Sequence, residues 1–246
     1  MNKIRVSAVS YTNTKPFIFG LNHSGIITEM DLSLDIPADC AAKLIEDKAD
    51  IGLVPVAALL KIPDYHIVSD YCIGAIAAVN SVFIFSDKPI EEIQTLRLDK
   101  QSRTSNALAR VLLKHYWKFN PVIVEGDADA FVEIGDRTFG KKDQYAFVYD
   151  LAEVWIKFTG LPFAFAVWAS NKPIPKDFIQ KFNSALAYGL EHRKEVIANL
   201  PAHPGFDLDD YLMHRIDYPL TEQKKKALDL FLELASKLEE KAPEFK

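Results

Sequence analysis

Residues 96–117 read Leu96-Arg97-Leu98-Asp99-Lys100-Gln101-Ser102-Arg103-Thr104-Ser105-Asn106-Ala107-Leu108-Ala109-Arg110-Val111-Leu112-Leu113-Lys114-His115-Tyr116-Trp117. Leu96 to Asp99 is a short strand. From Thr104, the positions Ala107, Leu108, Val111 and Leu112 recur at helical spacing and describe an amphipathic helix running to about Trp117. Between strand and helix stand Ser102, Arg103, Thr104 and Ser105. These residue types cap a helix, and they also receive an anion at its N-terminus. A strand feeding a helix through a polar junction is the repeating unit of an α/β fold.

The same unit recurs on both sides. Ile4 to Val9 is a β-rich run, followed by Ser10-Tyr11-Thr12-Asn13-Thr14-Lys15-Pro16 and a helical stretch through Leu21. Ile27 to Leu34 alternates as a strand does, and Pro37-Ala38-Asp39 opens a helix with Asp39 placed as its N-cap. Asp50 to Pro55 reads as a buried strand, Val56 to Leu60 as a short helix, and Ser81 to Ser86 as a strand again. Pro89 to Gln94 is a helical turn or two, and Pro121 to Val124 and Ala130 to Ile134 are strands. Leu151 to Phe158 is a helix ended by Gly160, and Phe163 to Trp168 is the next strand. After Pro175 only helices are expected, with Lys224-Lys225-Lys226 on a solvated face and a tail from Lys237 to Lys246 that frays.

About ten strands are too many for one small doubly wound sheet. Two α/β lobes with mostly parallel sheets use the length better. The expected division is residues 1–84 plus 172–246 in lobe 1 and residues 85–171 in lobe 2, the chain crossing near Asn80 to Asp87 and again near Trp168 to Lys172. A ligand would then lie between the lobes, at strand C-termini and helix N-termini.

Composition narrows the ligand. The 246 residues carry a formal charge of −5 with 49% hydrophobic and 26% charged residues. Nucleic-acid binding shows as a basic excess on one face, and none is present. A small anionic substrate stays open, because backbone N–H groups supply a local positive field. No apolar run approaches the ~20 residues that cross a bilayer, and the N-terminus lacks a secretory apolar segment, so a cytoplasmic protein with no membrane partner is expected. Cys40 and Cys72 form no CxxC and are expected as buried thiols. The six histidines show no paired metal-ligand spacing, and GxGxxG, GxxxxGK[ST] and GxSxG are absent. No metal or dinucleotide site is therefore expected.

Three junctions can carry chemistry. Ser10 to Pro16 offers hydroxyls and the Asn13 amide at a helix start, where simple capping is the plainer explanation. Ser102 to Ser105 concentrates donors enough to bind a carboxylate or phosphate, with Arg103 able to bind bidentately. In Tyr149-Asp150-Leu151-Ala152-Glu153 the acids suit the helix dipole, and one carboxylate facing a cleft could act as general base. Gly135-Asp136, ending a strand, could also reach the cleft.

At these same junctions the sequence resembles the chorismate dehydratase family of the futalosine route to menaquinone. Ser10 to Pro16 looks like its SYLNxxPL opening, and Asp50 to Pro55 is similar to its DVGLVP strand. Ser81 to Ser86 resembles SVLLFS, Asp99 to Ser105 resembles DxSSRTS, and Ile134-Gly135-Asp136 matches IGD. Tyr149 to Trp155 and Thr159 to Trp168 resemble YDLGExW and TGLPFVFAVW. Departures fall at Ala77-Ala78 in place of Gly-Pro, at Val56-Ala57-Ala58 after Pro55, and at Ala152 in place of Gly.

The resemblance implies a type 2 periplasmic-binding-protein-like fold with the ligand cleft between its lobes. It implies loss of water from chorismate to give 3-[(1-carboxyvinyl)oxy]benzoate, with no cofactor, because aromatisation drives the reaction. Asn13 would orient the leaving hydroxyl or a carboxylate, and Ser81 would donate from the crossover strand. Ser10 and Tyr11 would join the substrate-binding set, with Ser102, Arg103, Thr104 and Ser105 holding a carboxylate through hydroxyls and N–H groups rather than the guanidinium. Asp150 or Asp136 is implied as general base, with the substrate's enolpyruvyl carboxylate as the alternative. The sister enzyme that cleaves cyclic dehypoxanthine futalosine has an SPCPND-like opening and a histidine base, whereas Ile134-Gly135-Asp136-Arg137 holds none. A binding-only relative of the same fold is the remaining alternative.

Overall fold

Eleven strand segments sort into two sheets in a computed structural model, which describes residues 3–239. In chain order the strands are β1 (Ile4–Val9), β2 (Met30–Asp35), β3 (Ile51–Pro55), β4 (His66–Ala75), β5 (Val82–Ser86) and β6 (Thr95–Arg97). They continue with β7 (Val122–Val124), β8 (Ala130–Ile134), β9 (Phe147–Asp150), β10 (Phe163–Ser170) and β11 (Asp217–Pro219). The helices are α1 (Lys15–Asn22), α2 (Pro37–Ile45), α3 (Arg103–Leu112), α4 (Leu151–Thr159), α5 (Lys176–Glu191), α6 (Arg193–Ala198), α7 (Leu208–Asp210) and α8 (Glu222–Glu239).

The first sheet has the order β11-β4-β10-β3-β1-β2, and the second β7-β6-β8-β5-β9. Both are mixed, not mostly parallel. β1 runs parallel to β2 and β3, but β10 is antiparallel to β3 and β4, and β5 is antiparallel to β8 and β9. The lobe boundaries also differ from expectation. β5 belongs to the second sheet and β10 to the first, so the chain crosses at residues 76–81 and 160–162. β10 is buried along nearly its whole length because it sits between β3 and β4 in mid-sheet, a non-local placement that strand order along the chain hides.

Local signals mostly hold. Gly160 ends α4 in the left-handed conformation at φ 71°, as its position predicts. Asp39 does not cap α2: the N-cap is Ile36, and Pro37 starts the helix with its φ already set. β11 interrupts the expected all-helical C-terminal third. Of the tail expected to fray, residues 237–239 continue α8, and residues 240–246 lie outside the described residues.

α1 and α5 meet on one face of the first sheet, and the approach needs glycine on both sides. A Cβ at Gly20 would lie 1.9 Å from the Ala185 carbonyl oxygen, and one at Gly189 would lie 1.9 Å from that of Pro16. On α8, Lys224 is fully buried, against the expectation of a solvated lysine face. Its ammonium pairs with the Asp217 carboxylate, donates to the Asp217 and Pro219 carbonyls at 2.6 and 2.8 Å, and lies 3.7 Å from Cys72 Sγ. This bond set ties α8 to β11 and β4 at the edge of the first sheet. Lys225 and Lys226 stay exposed. Both cysteines are buried free thiols, and burial pushes Cys40 up to about 12 and Cys72 up to about 11. Among the described residues no helix is long and apolar enough to cross a membrane.

Candidate active site

A cleft of about 590 Å3, counted to its open mouth, lies between the two sheets. Its polar wall is assembled from three junctions: Tyr11, Asn13 and Thr14 after β1, Ser81 in the crossover, and Ser102, Thr104 and Ser105 at the start of α3. Ile73, Val79, Ile134, Phe165 and Ile216 supply its apolar surface, with Gly135 at the end of β8. No Asp, Glu, Lys, Arg or His is among the lining residues. Tyr11 is the one lining phenol, and burial raises its pKa, so it stays neutral.

Each polar group is held by the fold. Ser102 caps α3: its Oγ accepts from Ser105 N at 3.1 Å and donates to Ser105 Oγ at 2.8 Å. The Ser105 proton is thereby left for another acceptor, beside the positive end of the α3 dipole. Thr104 Oγ1 accepts from Ala57 N at 3.1 Å and joins the lobes. Asn13 sits in a 3-10 turn, Thr12–Thr14, where Tyr218 donates to its carbonyl at 3.0 Å. Its amide oxygen accepts from Thr14 Oγ1 at 3.2 Å and its Nδ2 donates to the Tyr211 hydroxyl at 3.5 Å. Ser81 Oγ accepts from Tyr211 at 2.9 Å, and its carbonyl accepts from Gly135 N at 2.8 Å.

The neighbouring charges brace the walls. Asp136 accepts from Thr12 N and from Thr12 Oγ1, the latter at 2.8 Å, and so holds one lobe to the other. Tyr11 makes a second bridge, donating to Gln101 Oε1 at 2.7 Å. Asp99, with a fully buried side chain, takes Arg137 Nη2 at 2.6 Å and Gln101 N at 2.7 Å. Gly135 has φ +63°, and a Cβ there would lie 3.3 Å from the Tyr11 ring, so only glycine gives this turn without strain.

Asp150 is used by the backbone. Its Oδ1 accepts from Ala152 N and Glu153 N at 3.0 and 3.1 Å, capping α4, and its Oδ2 accepts from Asn80 N at 2.7 Å. Burial raises its pKa, against the pull of these N–H groups. Asn80 itself is left-handed at φ 57°, so Asp150 pins a strained turn of the crossover.

Of the residues singled out in the sequence, Tyr11, Asn13, Ser81, Ser102, Thr104 and Ser105 converge on the cleft. Ser10 and Arg103 are exposed and not among its lining residues, and neither are Asp136 and Asp150. Sequence reasoning did not reach Tyr211 and Tyr218. Tyr211 lies 130 residues from the serine it touches, in a turn of π-helix, and no local pattern announces that contact.

The fold is periplasmic-binding-protein-like. It is similar to a protein of Archaeoglobus fulgidus (TM-score 0.72, 16% identity, 96% of this chain and 98% of that one). It is also similar to an ABC transporter protein of Parabacteroides distasonis (TM-score 0.67, 18% identity, 98% and 94%) and to the periplasmic aliphatic sulphonate binding protein of Escherichia coli (TM-score 0.57, 16% identity, 97% and 94%). In sequence it is 27% identical over 233 residues to the chorismate dehydratase of Thermus thermophilus, covering 80% of this chain and 84% of that protein. Residues 4–237 match the model of a family described as menaquinone biosynthesis. With nearly its whole length matched, the chain belongs to the menaquinone biosynthesis family.

Proposed function

We propose that this protein is a cytoplasmic chorismate dehydratase, a hydro-lyase that converts chorismate to 3-[(1-carboxyvinyl)oxy]benzoate and water. The observation that carries the reading is a cleft of neutral donors with no ionised side chain, set where two lobes meet, in a chain related to a chorismate dehydratase. The ring proton beside the enolpyruvyl ether leaves, the adjacent C–O bond breaks, and the ring becomes aromatic. Hydroxide departs and takes up a proton, so the products are one aromatic ether and one water.

The protein's part is to hold a dianion in the reactive conformation. Thr104 and Ser105 receive one carboxylate at the α3 N-terminus, with Ser102 orienting the Ser105 hydroxyl, and Asn13 and Ser81 bind across from them. Neutral donors suit an elimination that moves charge within the substrate, since they favour the developing oxyanion without trapping the ground state in an ion pair. With no lining side chain able to accept a proton near neutral pH, the enolpyruvyl carboxylate removes the ring proton. A bound substrate that carries its own base gains the rate advantage of an intramolecular step.

Incubating the purified protein with chorismate and separating the products by chromatography tests the reading. One equivalent of the enolpyruvyl benzoate per chorismate consumed is expected. Chorismate that binds without conversion would assign a solute-binding role, as the transporter-like neighbours have. Asp150→Asn separates base from brace. Its new amide N–H faces Asn80 N or the α4 N–H groups, so it should cost about 1–3 kcal/mol of stability, while the folded protein keeps its turnover. Lost turnover at unchanged stability would instead make Asp150 the base.

A further inference from the structure

We propose that Tyr211 is a positioning residue that aims the Ser81 hydroxyl proton into the cleft. The proposal rests on the dehydratase reading and adds to it a group from the far C-terminal segment. Tyr211 and Ser81 are each 1% exposed, and the Tyr211 hydroxyl lies 2.9 Å from Ser81 Oγ. On its other side stands Asn13 Nδ2 at 3.5 Å.

Proton bookkeeping fixes the direction. An amide N–H only donates, so the phenol accepts from Asn13 and its own proton goes to Ser81 Oγ. Ser81, having accepted, turns its proton to its remaining open side, and that side is the cleft it lines. The phenol cannot give its proton away, because burial raises its pKa well above neutral. The chain Asn13 N–H to Tyr211 O–H to Ser81 O–H therefore ends in a donor of fixed direction, and each link polarises the next. Edge contacts with Phe139 and Phe206, centroids 5.3 and 5.2 Å away, hold the Tyr211 ring in place.

A double-mutant cycle in the full-length protein tests this with chorismate as the probe. Tyr211→Phe should lower kcat about tenfold, the equivalent of one hydrogen bond, with KM changed less than about twofold. In a Ser81→Ala background the same change should cost clearly less, since no Ser81 hydroxyl remains to aim and only the 3.5 Å contact with Asn13 is left to lose. Tyr218→Phe is the structural control: it removes an equally buried phenol that bonds the Asn13 carbonyl and does not touch Ser81, and its loss should add to that of Ser81→Ala. Melting curves recorded for every variant place the comparison on folded protein. Additive losses for Tyr211→Phe and Ser81→Ala, with an active wild type, overturn the positioning role alone. A wild type inert towards chorismate overturns the dehydratase reading and the role with it.

Discussion

Asn13→Asp is expected to lower kcat for chorismate by about 10²- to 10³-fold, the loss seen when one preorganised donor is removed from an oxyanion site. Asn13 presents N–H groups where its neighbours present hydroxyls, and its own amide oxygen is occupied by Thr14. An aspartate of the same shape has only acceptors. It brings a negative charge into a cleft that otherwise holds none, against a substrate with two carboxylates. It also removes the donor that orients the Tyr211 hydroxyl. Folding should be little affected, because the backbone carbonyl bond from Tyr218 survives and the new charge lies near a helix start. Steady-state kinetics beside a melting curve decide the matter. Wild-type turnover in the variant would remove Asn13 from the mechanism.

Asp217→Ala is expected to destabilise the protein by about 3–5 kcal/mol, because it strips a fully buried ammonium of its counter-charge. Lys224 keeps two carbonyl partners, but neither offsets a full charge in the interior. At this chain length that corresponds to a fall of roughly 10 °C in thermal midpoint. Adding Lys224→Met should restore most of the loss, since a buried pair replaced by apolar packing is often neutral. Equilibrium denaturation of the single and double variants tests both statements. A single variant as mild as a surface substitution would mean that the Asp217 carboxylate is not what offsets the burial of Lys224.

The features legible in the sequence are those written in neighbouring residues. The runs from β1 to β3 and the helix α3 carry their periodicity locally, and the hydroxyl-rich junctions after β1 and before α3 do reach the cleft. Capping and anion binding use the same residue types, and Ser102 shows both at once, as α3's N-cap and as a lining residue. What was not legible depends on distant contacts. β4 carries a burial pattern without clean alternation, and its place between β10 and β11 is set by pairing with segments about 90 and 145 residues away. The membership of β10 is set by antiparallel pairing across the chain, with register shifts against β4. Lys224 reads as one of three solvated lysines until Asp217 and two carbonyls surround it. Asp136 and Asp150 read as acids at a cleft, yet their oxygens meet Thr12 and the N–H groups of two turns.

The most direct test of a dehydratase cleft without an ionising side chain is kcat for chorismate as a function of pH. It is predicted to stay level from about pH 6 to about pH 9, where the substrate carboxylates are ionised and the Tyr11 phenol is protonated. A fall through an apparent pKa inside that window, or no conversion of chorismate at any pH, would contradict it.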